Sequence, residues 1–132
     1  MQIALDLDAN AGVAAKILGA VFGKSAVANK AYVGIALDLL DQGMSYDALA
    51  SFALGAAKAT TNDQIVTCLW GNVVGSAPYA TDKAPFVAWL EAGLSAGALA
   101  HLAADLPANQ SNINLVGLVQ TGLAYTPVGA AP

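Results

Sequence analysis

The most chemically suggestive stretch lies near the start of the chain, where oxygen-bearing side chains alternate with apolar residues. Asp6, Asp8 and Asn10 are each separated by one residue, and Gly12 follows them. Carboxylate and amide oxygens at this spacing are typical ligands of Ca²⁺. The stretch departs from the EF-hand pattern, because its glycine comes one position late and Ile17 stands where that loop needs a glutamate. Two interpretations stay open: a calcium site, or a polar lead in which Asn10 caps the first helix.

Residues that could support catalysis are few. His101 is the only histidine, Cys68 is the only cysteine, and the chain contains no Gly-x-Ser-x-Gly elbow. Cys68 lies in an apolar run without a neighbouring base, so we expect a buried, unreactive thiol. Asp38 and Asp41 lie one helical turn apart on one face, not opposed across a cleft as glycoside hydrolysis requires. We therefore predict that the chain is not an enzyme and that His101 is structural or solvent-exposed.

Four aromatic residues come close together in the second half of the chain. They are Trp70, Tyr79, Phe86 and Trp89. Aromatic rings serve as anchors in protein interfaces and as platforms for sugar rings, and they also pack well in cores. Two interpretations therefore stay open, a packed core and a surface that binds carbohydrate or protein.

Charge and hydrophobicity limit the partners. The net charge is −4, and all five basic residues are lysines. Without arginine to form paired hydrogen bonds to phosphate or guanine, nucleic-acid binding is not expected. Hydrophobic residues make up 57% of the chain. Charged residues interrupt the apolar regions up to Asp105, and asparagine, glutamine and proline residues interrupt the charge-free tail that follows, so no apolar span reaches the roughly 20 residues of a transmembrane helix. Acidic residues near the N-terminus also argue against a cleavable signal peptide.

A short motif that occurs twice predicts where the helices that carry these residues begin and end. We call this motif a corner. Each corner is a glycine, an apolar residue and a serine, namely Gly43, Met44 and Ser45, and then Gly93, Leu94 and Ser95. The glycine is typical of a left-handed helix end, and the serine is typical of the cap that begins the next helix. The apolar residue between them can pack on both helices. Each corner therefore predicts a sharp turn between two helices.

The corners divide the chain into two similar halves. The two corner glycines lie 50 positions apart (93 − 43 = 50), and Gly23 and Gly75 lie 52 apart (75 − 23 = 52). We predict one all-α domain over residues 1–132 with about seven short helices. Repeat one covers about residues 11–58, repeat two about 61–106, and a closing helix about 111–123. Within repeat two, Thr81 is the expected N-cap of the fifth helix, with Pro85 in its first turn.

Several segments resemble a bacterial family of helical domains of unknown function. The segments are residues 15–23, 32–35, 39–45, 69–75 and 112–118. Domains of this family look like appendages of large secreted or surface proteins, often beside haemolysin-type, repeat-in-toxin calcium-binding repeats. The chain departs from the family pattern in lacking an arginine after Gly23 and Gly75 and in lacking a Gly-x-x-Tyr-Trp motif.

The resemblance implies an extracellular scaffold or adhesion role and assigns no catalytic residue. We therefore expect a secreted or cell-surface module that assembles with itself or attaches to another surface protein. We expect no cofactor, unless calcium binds. The alternative is a carbohydrate- or calcium-binding module of a secreted protein.

Overall fold

Helices build nearly all of the part of the chain that the structure describes. The structure is a computed structural model that describes residues 2–3, 10–76, 78–113 and 123–125. These residues contain α1 (Asn10–Phe22), α2 (Lys30–Asp41), α3 (Tyr46–Ala56), α4 (Asn62–Val74), α5 (Ala80–Glu91), α6 (Ala96–Asp105) and α7 (Pro107–Asn112). A 3₁₀ helix covers Lys24–Ala28, and β1 (Gln2–Ile3) pairs antiparallel with β2 (Leu123–Ala124). The prediction of an all-α fold is confirmed.

The helices in the described part of the chain are short. The longest described helices, α1 and α4, have 13 residues each. None of the described helices is long and apolar enough to cross a membrane.

The helix bounds follow the two offsets seen in the sequence. Helices α1 and α4 begin and end 52 positions apart, and α2 and α5 begin and end 50 positions apart. Helices α3 and α6 begin 50 positions apart and end 49 apart. The lengths are equal in the first two pairs and differ by one residue in the third, which agrees with the expected division into two repeats. The repeat organisation itself, as a similarity between the two halves in three dimensions, stays a prediction.

The first corner joins α2 to α3 with the backbone geometry typical of a glycine-terminated helix. Gly43 has a φ of 103°, in the left-handed region. The Met44 N–H donates to the Leu39 carbonyl at 3.1 Å, which closes the last turn of α2. The Ser45 hydroxyl then accepts a hydrogen bond from the Ala48 N–H at 3.1 Å and begins α3.

The second corner joins α5 to α6 in the same way. Gly93 has a φ of 111°, and the Leu94 N–H donates to the Trp89 carbonyl at 3.0 Å. The Ser95 hydroxyl accepts from the Ala98 N–H at 3.0 Å. The glycine and the serine of both corners therefore have the geometry that their residue types predict, and Met44 and Leu94 pack half-buried against the core.

Helix α1 forms the centre of the core, although its counterpart α4 does not. Ten of the 13 residues of α1 are buried. Helix α4 buries four residues, Ile65, Val66, Leu69 and Val73. Helix α1 packs against α2, α3, α4, α6 and α7, whereas α4 packs mainly against α1, α5, α6 and α7. Helices at equivalent places in the sequence thus have different surroundings.

Helix α5 begins earlier than predicted. Tyr79, and not Thr81, is the N-cap residue, and the Asp82 carboxylate accepts a hydrogen bond from the Tyr79 N–H at 3.0 Å. A carboxylate at the third helical position can satisfy the first backbone donor, so a hydroxyl cap at residue 81 is not needed. Pro85 consequently lies inside the helix and not in its first turn.

The closing helix also differs from the prediction of a helix over 111–123. Helix α7 covers Pro107–Asn112, with Pro107 in its first turn, and Leu123–Ala124 form β2. Proline lacks the N–H that the first helical position leaves unbonded, so it begins this helix instead of preceding it. Residues 114–122 of the predicted helix lie outside the described residues.

The corner glycines generate a first prediction. We expect Gly43→Ala and Gly93→Ala each to lower the free energy of unfolding by about 1–2 kcal/mol, because a Cβ is unfavourable in the left-handed region. The added Cβ meets no other atom within 4 Å at either position, so crowding does not contribute. Urea denaturation followed by circular dichroism measures the change.

Gly71→Ala is the matched control for these variants. Gly71 lies within α4, and its added Cβ also meets no atom within 4 Å. Alanine has a higher helix propensity than glycine, so this variant should be as stable as the parent or more stable. Corner variants that melt like the Gly71 variant would contradict the proposed role of the corners.

Candidate functional site

A polar cluster connects α1, α3 and α6. We call it the His101 cluster, and it consists of Lys16, Tyr46, Asp47, His101 and Asp105. The two ring nitrogens of His101 lie against two carboxylates, with Nδ1 2.6 Å from Asp47 Oδ1 and Nε2 3.2 Å from Asp105 Oδ2. The Tyr46 ring stacks on the imidazole, with 3.6 Å between ring centroids and 9° between ring planes.

The Asp105 carboxylate also accepts bonds from the other two helices. Lys16 Nζ of α1 lies 3.3 Å from Asp105 Oδ1, and the Tyr46 hydroxyl of α3 donates to the same oxygen at 3.1 Å. Burial raises the pKa of Tyr46 well above its usual value, and the negative charge of Asp105 raises it further. The phenol is therefore held in its neutral form, as a hydrogen-bond donor.

Close packing of α3 against α6 brings this cluster together. Gly97 lies so near α3 that an added Cβ would collide with the Asp47 carbonyl oxygen and the Ser51 hydroxyl. At an offset of 50, Asp47 corresponds to Gly97 and Ser51 to His101. The contact of Asp47 in α3 with His101 in α6 therefore has a counterpart in the contact of Gly97 in α6 with Ser51 in α3. Exchanging the two helices converts one contact into the other.

The His101 cluster has the features of a structural connection. Both imidazole nitrogens are occupied by carboxylates, and the cluster contains no serine or cysteine nucleophile. Within the described ranges, no group of three His, Cys, Asp or Glu side chains is placed to hold a metal ion. Sequence reasoning assigned His101 a structural or exposed role but missed its partner Asp47, because the two residues are 54 positions apart.

Two apolar grooves lie on the surface. The first groove, between α1, α2 and α3, has a volume of about 160 Å³ and includes Phe22, Tyr32 and Phe52. The second groove, between α4, α5 and α6, has a volume of about 350 Å³ and includes Trp70, Phe86, Trp89 and Leu102. Every residue that lines either groove is apolar or aromatic.

The two grooves are built from equivalent positions. Nine of the eleven residues that line the first groove correspond to residues that line the second. At the offset of 52 the pairs are Ile17/Leu69, Leu18/Trp70 and Phe22/Val74. At the offset of 50 they are Ala36/Phe86, Leu39/Trp89, Leu49/Leu99, Phe52/Leu102, Ala53/Ala103 and Ala56/Leu106. Sequence reasoning found the offsets but did not anticipate a groove in each half.

Three of the four predicted aromatic site residues meet in the second groove. The Phe86 ring lies between the tryptophans, 6.2 Å from Trp70 and 5.3 Å from Trp89 between centroids. The Phe86–Trp89 contact is edge-on. Tyr79 does not line this groove, and its side chain is 78% exposed. The aromatic residues therefore form the wall of a half-open apolar space instead of a flat platform.

The predicted calcium ligands are only partly within the described residues. Asp6 and Asp8 lie outside them. Asn10 is the first residue of α1, and its Nδ2 donates to Asp41 Oδ1 at 2.8 Å. Calcium binding at this stretch stays a prediction.

Cys68 lies in α4 and is half-buried against the core, not fully buried as its apolar run predicts. Its thiol donates to the Val21 carbonyl at 3.1 Å, and burial raises the pKa of the thiol. A raised pKa lowers the thiolate fraction, which is the reactive form. The geometry gives no reason to assign this cysteine a reaction.

Comparisons with protein-family models, with curated proteins and with solved structures find no match to this chain. The resemblance drawn from the sequence segments is therefore still a prediction.

Tyr46 generates a second prediction, on the pH dependence of stability. Below about pH 10 Tyr46 is protonated in both states, whereas above it the unfolded chain loses the phenol proton and the folded chain keeps it. We therefore expect the free energy of unfolding to fall as the pH rises above about 10, and to fall less steeply in Tyr46→Phe. Denaturant titrations between pH 8 and 11 measure the slope. Tyr79→Phe, which alters an exposed phenol, should keep the parental slope, and equal slopes in all three chains would contradict the assignment.

Gly97 generates a third prediction. We expect Gly97→Ala to destabilise the fold by about 1–3 kcal/mol, because the new methyl group forces α3 and α6 apart. Gly55→Ala is the control, since its added Cβ in α3 meets nothing within 4 Å. Thermal melts compare the two. A Gly97→Ala chain as stable as the Gly55→Ala chain would show that α3 and α6 are not in close contact.

Proposed function

We propose that this chain is a non-enzymatic module that assembles with further copies of itself through its two apolar grooves. The observation that supports this proposal is the position of the exposed hydrophobic residues. Of the eight large hydrophobic side chains that are exposed among the described residues, seven line the grooves. They are Tyr32, Ile35 and Phe52 in the first groove, and Val74, Trp89, Leu102 and Leu106 in the second.

Such a concentration of apolar surface favours a contact with another apolar surface. Scattered single hydrophobic residues are normal on a soluble domain, but contiguous patches mark interaction sites. No charged side chain lines either groove, so a partner surface loses no ion hydration when it docks. A second copy of this chain presents the matching apolar surface.

Two similar grooves give each copy two contact surfaces. A chain with two such surfaces can connect to two neighbours, which produces an open array or a closed ring depending on the rotation between copies. This property suits a filament, layer or matrix subunit. The secreted or cell-surface setting of the proposal, and attachment to another surface protein, rest on the sequence resemblance alone.

Carbohydrate binding is less favoured by the second groove. Sugar recognition depends on hydrogen bonds from precisely placed polar groups as well as on aromatic rings. The side chains lining this groove include only the two indole N–H groups as donors. We therefore give self-association the preference over the sugar-binding alternative.

A fourth prediction tests the assembly. Phe52 and Leu102 occupy equivalent positions in the two grooves, and each side chain is 54% exposed. We expect sedimentation velocity of the parent chain to show association that rises with concentration, and Phe52→Ser/Leu102→Ser together to give a monomer. Tyr79→Ser is the matched control, because it removes an exposed aromatic ring outside both grooves.

The single variants distinguish two arrangements. In one arrangement, the first groove docks on the first groove of another copy and the second groove on the second. Phe52→Ser alone or Leu102→Ser alone should then still give dimers, because one kind of contact is kept. If the first groove docks on the second, either substitution alone should give monomers. A parent chain that stays monomeric at millimolar concentration, or a double variant that associates like the parent, would contradict the proposal.

A further inference from the structure

The imidazole of His101 lies between two carboxylates, one on α3 and one on its own helix α6. Its Nδ1 lies 2.6 Å from Asp47 Oδ1, and its Nε2 lies 3.2 Å from Asp105 Oδ2. An ionised carboxylate only accepts hydrogen bonds, so each of these contacts needs a proton on the imidazole nitrogen. A neutral imidazole carries one N–H, whereas an imidazolium carries two. Only the imidazolium therefore donates to both carboxylates at once.

The Tyr46 ring favours the same charge state. It covers one face of the imidazole, with 3.6 Å between ring centroids and 9° between ring planes. The face of an aromatic ring attracts a cation that lies within about 6 Å of its centroid. Burial raises the pKa of Tyr46 above its usual value, so the phenol itself stays uncharged. A positive charge on the imidazole thus strengthens the stacking contact.

Lys16 of α1 is the remaining charged group of the His101 cluster. Its Nζ lies 3.3 Å from Asp105 Oδ1, whereas the imidazole faces Asp105 Oδ2. The Asp105 carboxylate therefore lies against both basic groups, and Asp47 adds a second negative charge at the other ring nitrogen. With two carboxylates and one lysine in the cluster, the surroundings of the imidazole favour its positive form.

The other helices packed against α6 are α4 and α7. Helix α7 contains no titratable side chain. The titratable side chains of α4 are Asp63, which pairs with Lys83 at 2.8 Å, and Cys68, whose thiol donates to the Val21 carbonyl. Within the described ranges, neither of them forms an ion pair or hydrogen bond with His101. The charge of the imidazole is therefore set by groups on α1, α3 and α6.

We propose that His101 is a pH-sensitive clamp between α3 and α6, closed when its imidazole carries both protons and weakened when one proton passes to the solvent. After that loss, one nitrogen presents a lone pair to a carboxylate, and the contact changes from attractive to repulsive. His101 is the only histidine in the chain, and histidine is the side chain that ordinarily changes charge between about pH 5 and 8.

The direction of the effect follows from the number of bound protons. In the folded chain the two carboxylates favour the second imidazole proton, whereas in the unfolded chain they are no longer held against the ring. The folded chain then binds more protons than the unfolded chain while the imidazole titrates. The clamp therefore stabilises the fold at the acidic end of this range, and its contribution is lost as the pH rises.

The experiment measures urea denaturation by circular dichroism from about pH 5 to about pH 8. Relative to His101→Gln, which has no titratable ring, the unfolding equilibrium constant of the parent should rise about two- to fivefold, as for an exposed ion pair. Submicromolar protein, with sedimentation in the same buffers to verify monomers, keeps this result independent of assembly through the grooves.

Asp47→Asn tests the geometry of the clamp. The asparagine amide can donate to a bare imidazole nitrogen, so a neutral ring satisfies both contacts and the pH effect should be much smaller than in the parent. Asp41→Asn is the matched control, since it removes an exposed carboxylate that contacts Asn10 and not the histidine, and it should keep the parental pH effect.

Two results would overturn the clamp. One is a parent chain whose unfolding constant changes with pH no more than that of the His101→Gln chain. The other is an Asp47→Asn chain that keeps the full pH effect of the parent and of Asp41→Asn. The second comparison decides by itself if His101→Gln does not fold.

Discussion

The close packing of α3 against α6 is the constraint on which the rest of the structure depends. It is possible because Gly97 has no side chain at the point where α6 passes over the Asp47 carbonyl and Ser51. The same proximity brings Asp47 to His101 and allows the Tyr46 ring to stack on the imidazole. Lys16 then connects α1 to this pair through Asp105. A larger residue at position 97 would separate the helices and weaken each of these contacts.

Small residues have the same role around α1. Ala14, Ala15 and Ala20 are fully buried, and Gly19 lies directly against Ile113. Asn109 donates hydrogen bonds to the Lys16 and Ala104 carbonyls and so joins α7 to α1 and α6. The high alanine content therefore serves close helix packing in the interior. Larger residues such as Ile17 and Leu54 are buried among them, and seven of the eight exposed large hydrophobic residues in the described part of the chain line the grooves.

The grooves show how one frame can produce two different surfaces. Equivalent positions in the two halves line the two grooves, and their side chains differ. Phe22 and Tyr32 contact each other in the first groove, whereas Trp70, Phe86 and Trp89 supply the rings of the second. In the His101 cluster, by contrast, the polar groups of His101, Asp47, Asp105 and Tyr46 contact one another.

The sequence by itself determined the two corners, because each corner depends on bonds between residues at most five positions apart. The bonds around Gly43 and Ser45 are of this kind. Where two local solutions compete, as Thr81 and Asp82 do at the start of α5, the sequence did not determine which one is used. Only the tertiary structure decided that His101 meets Asp47 and which apolar residues stay exposed. Those outcomes depend on how α3 and α6 pack across more than 50 residues, and helical periodicity marks an apolar face without saying what covers it.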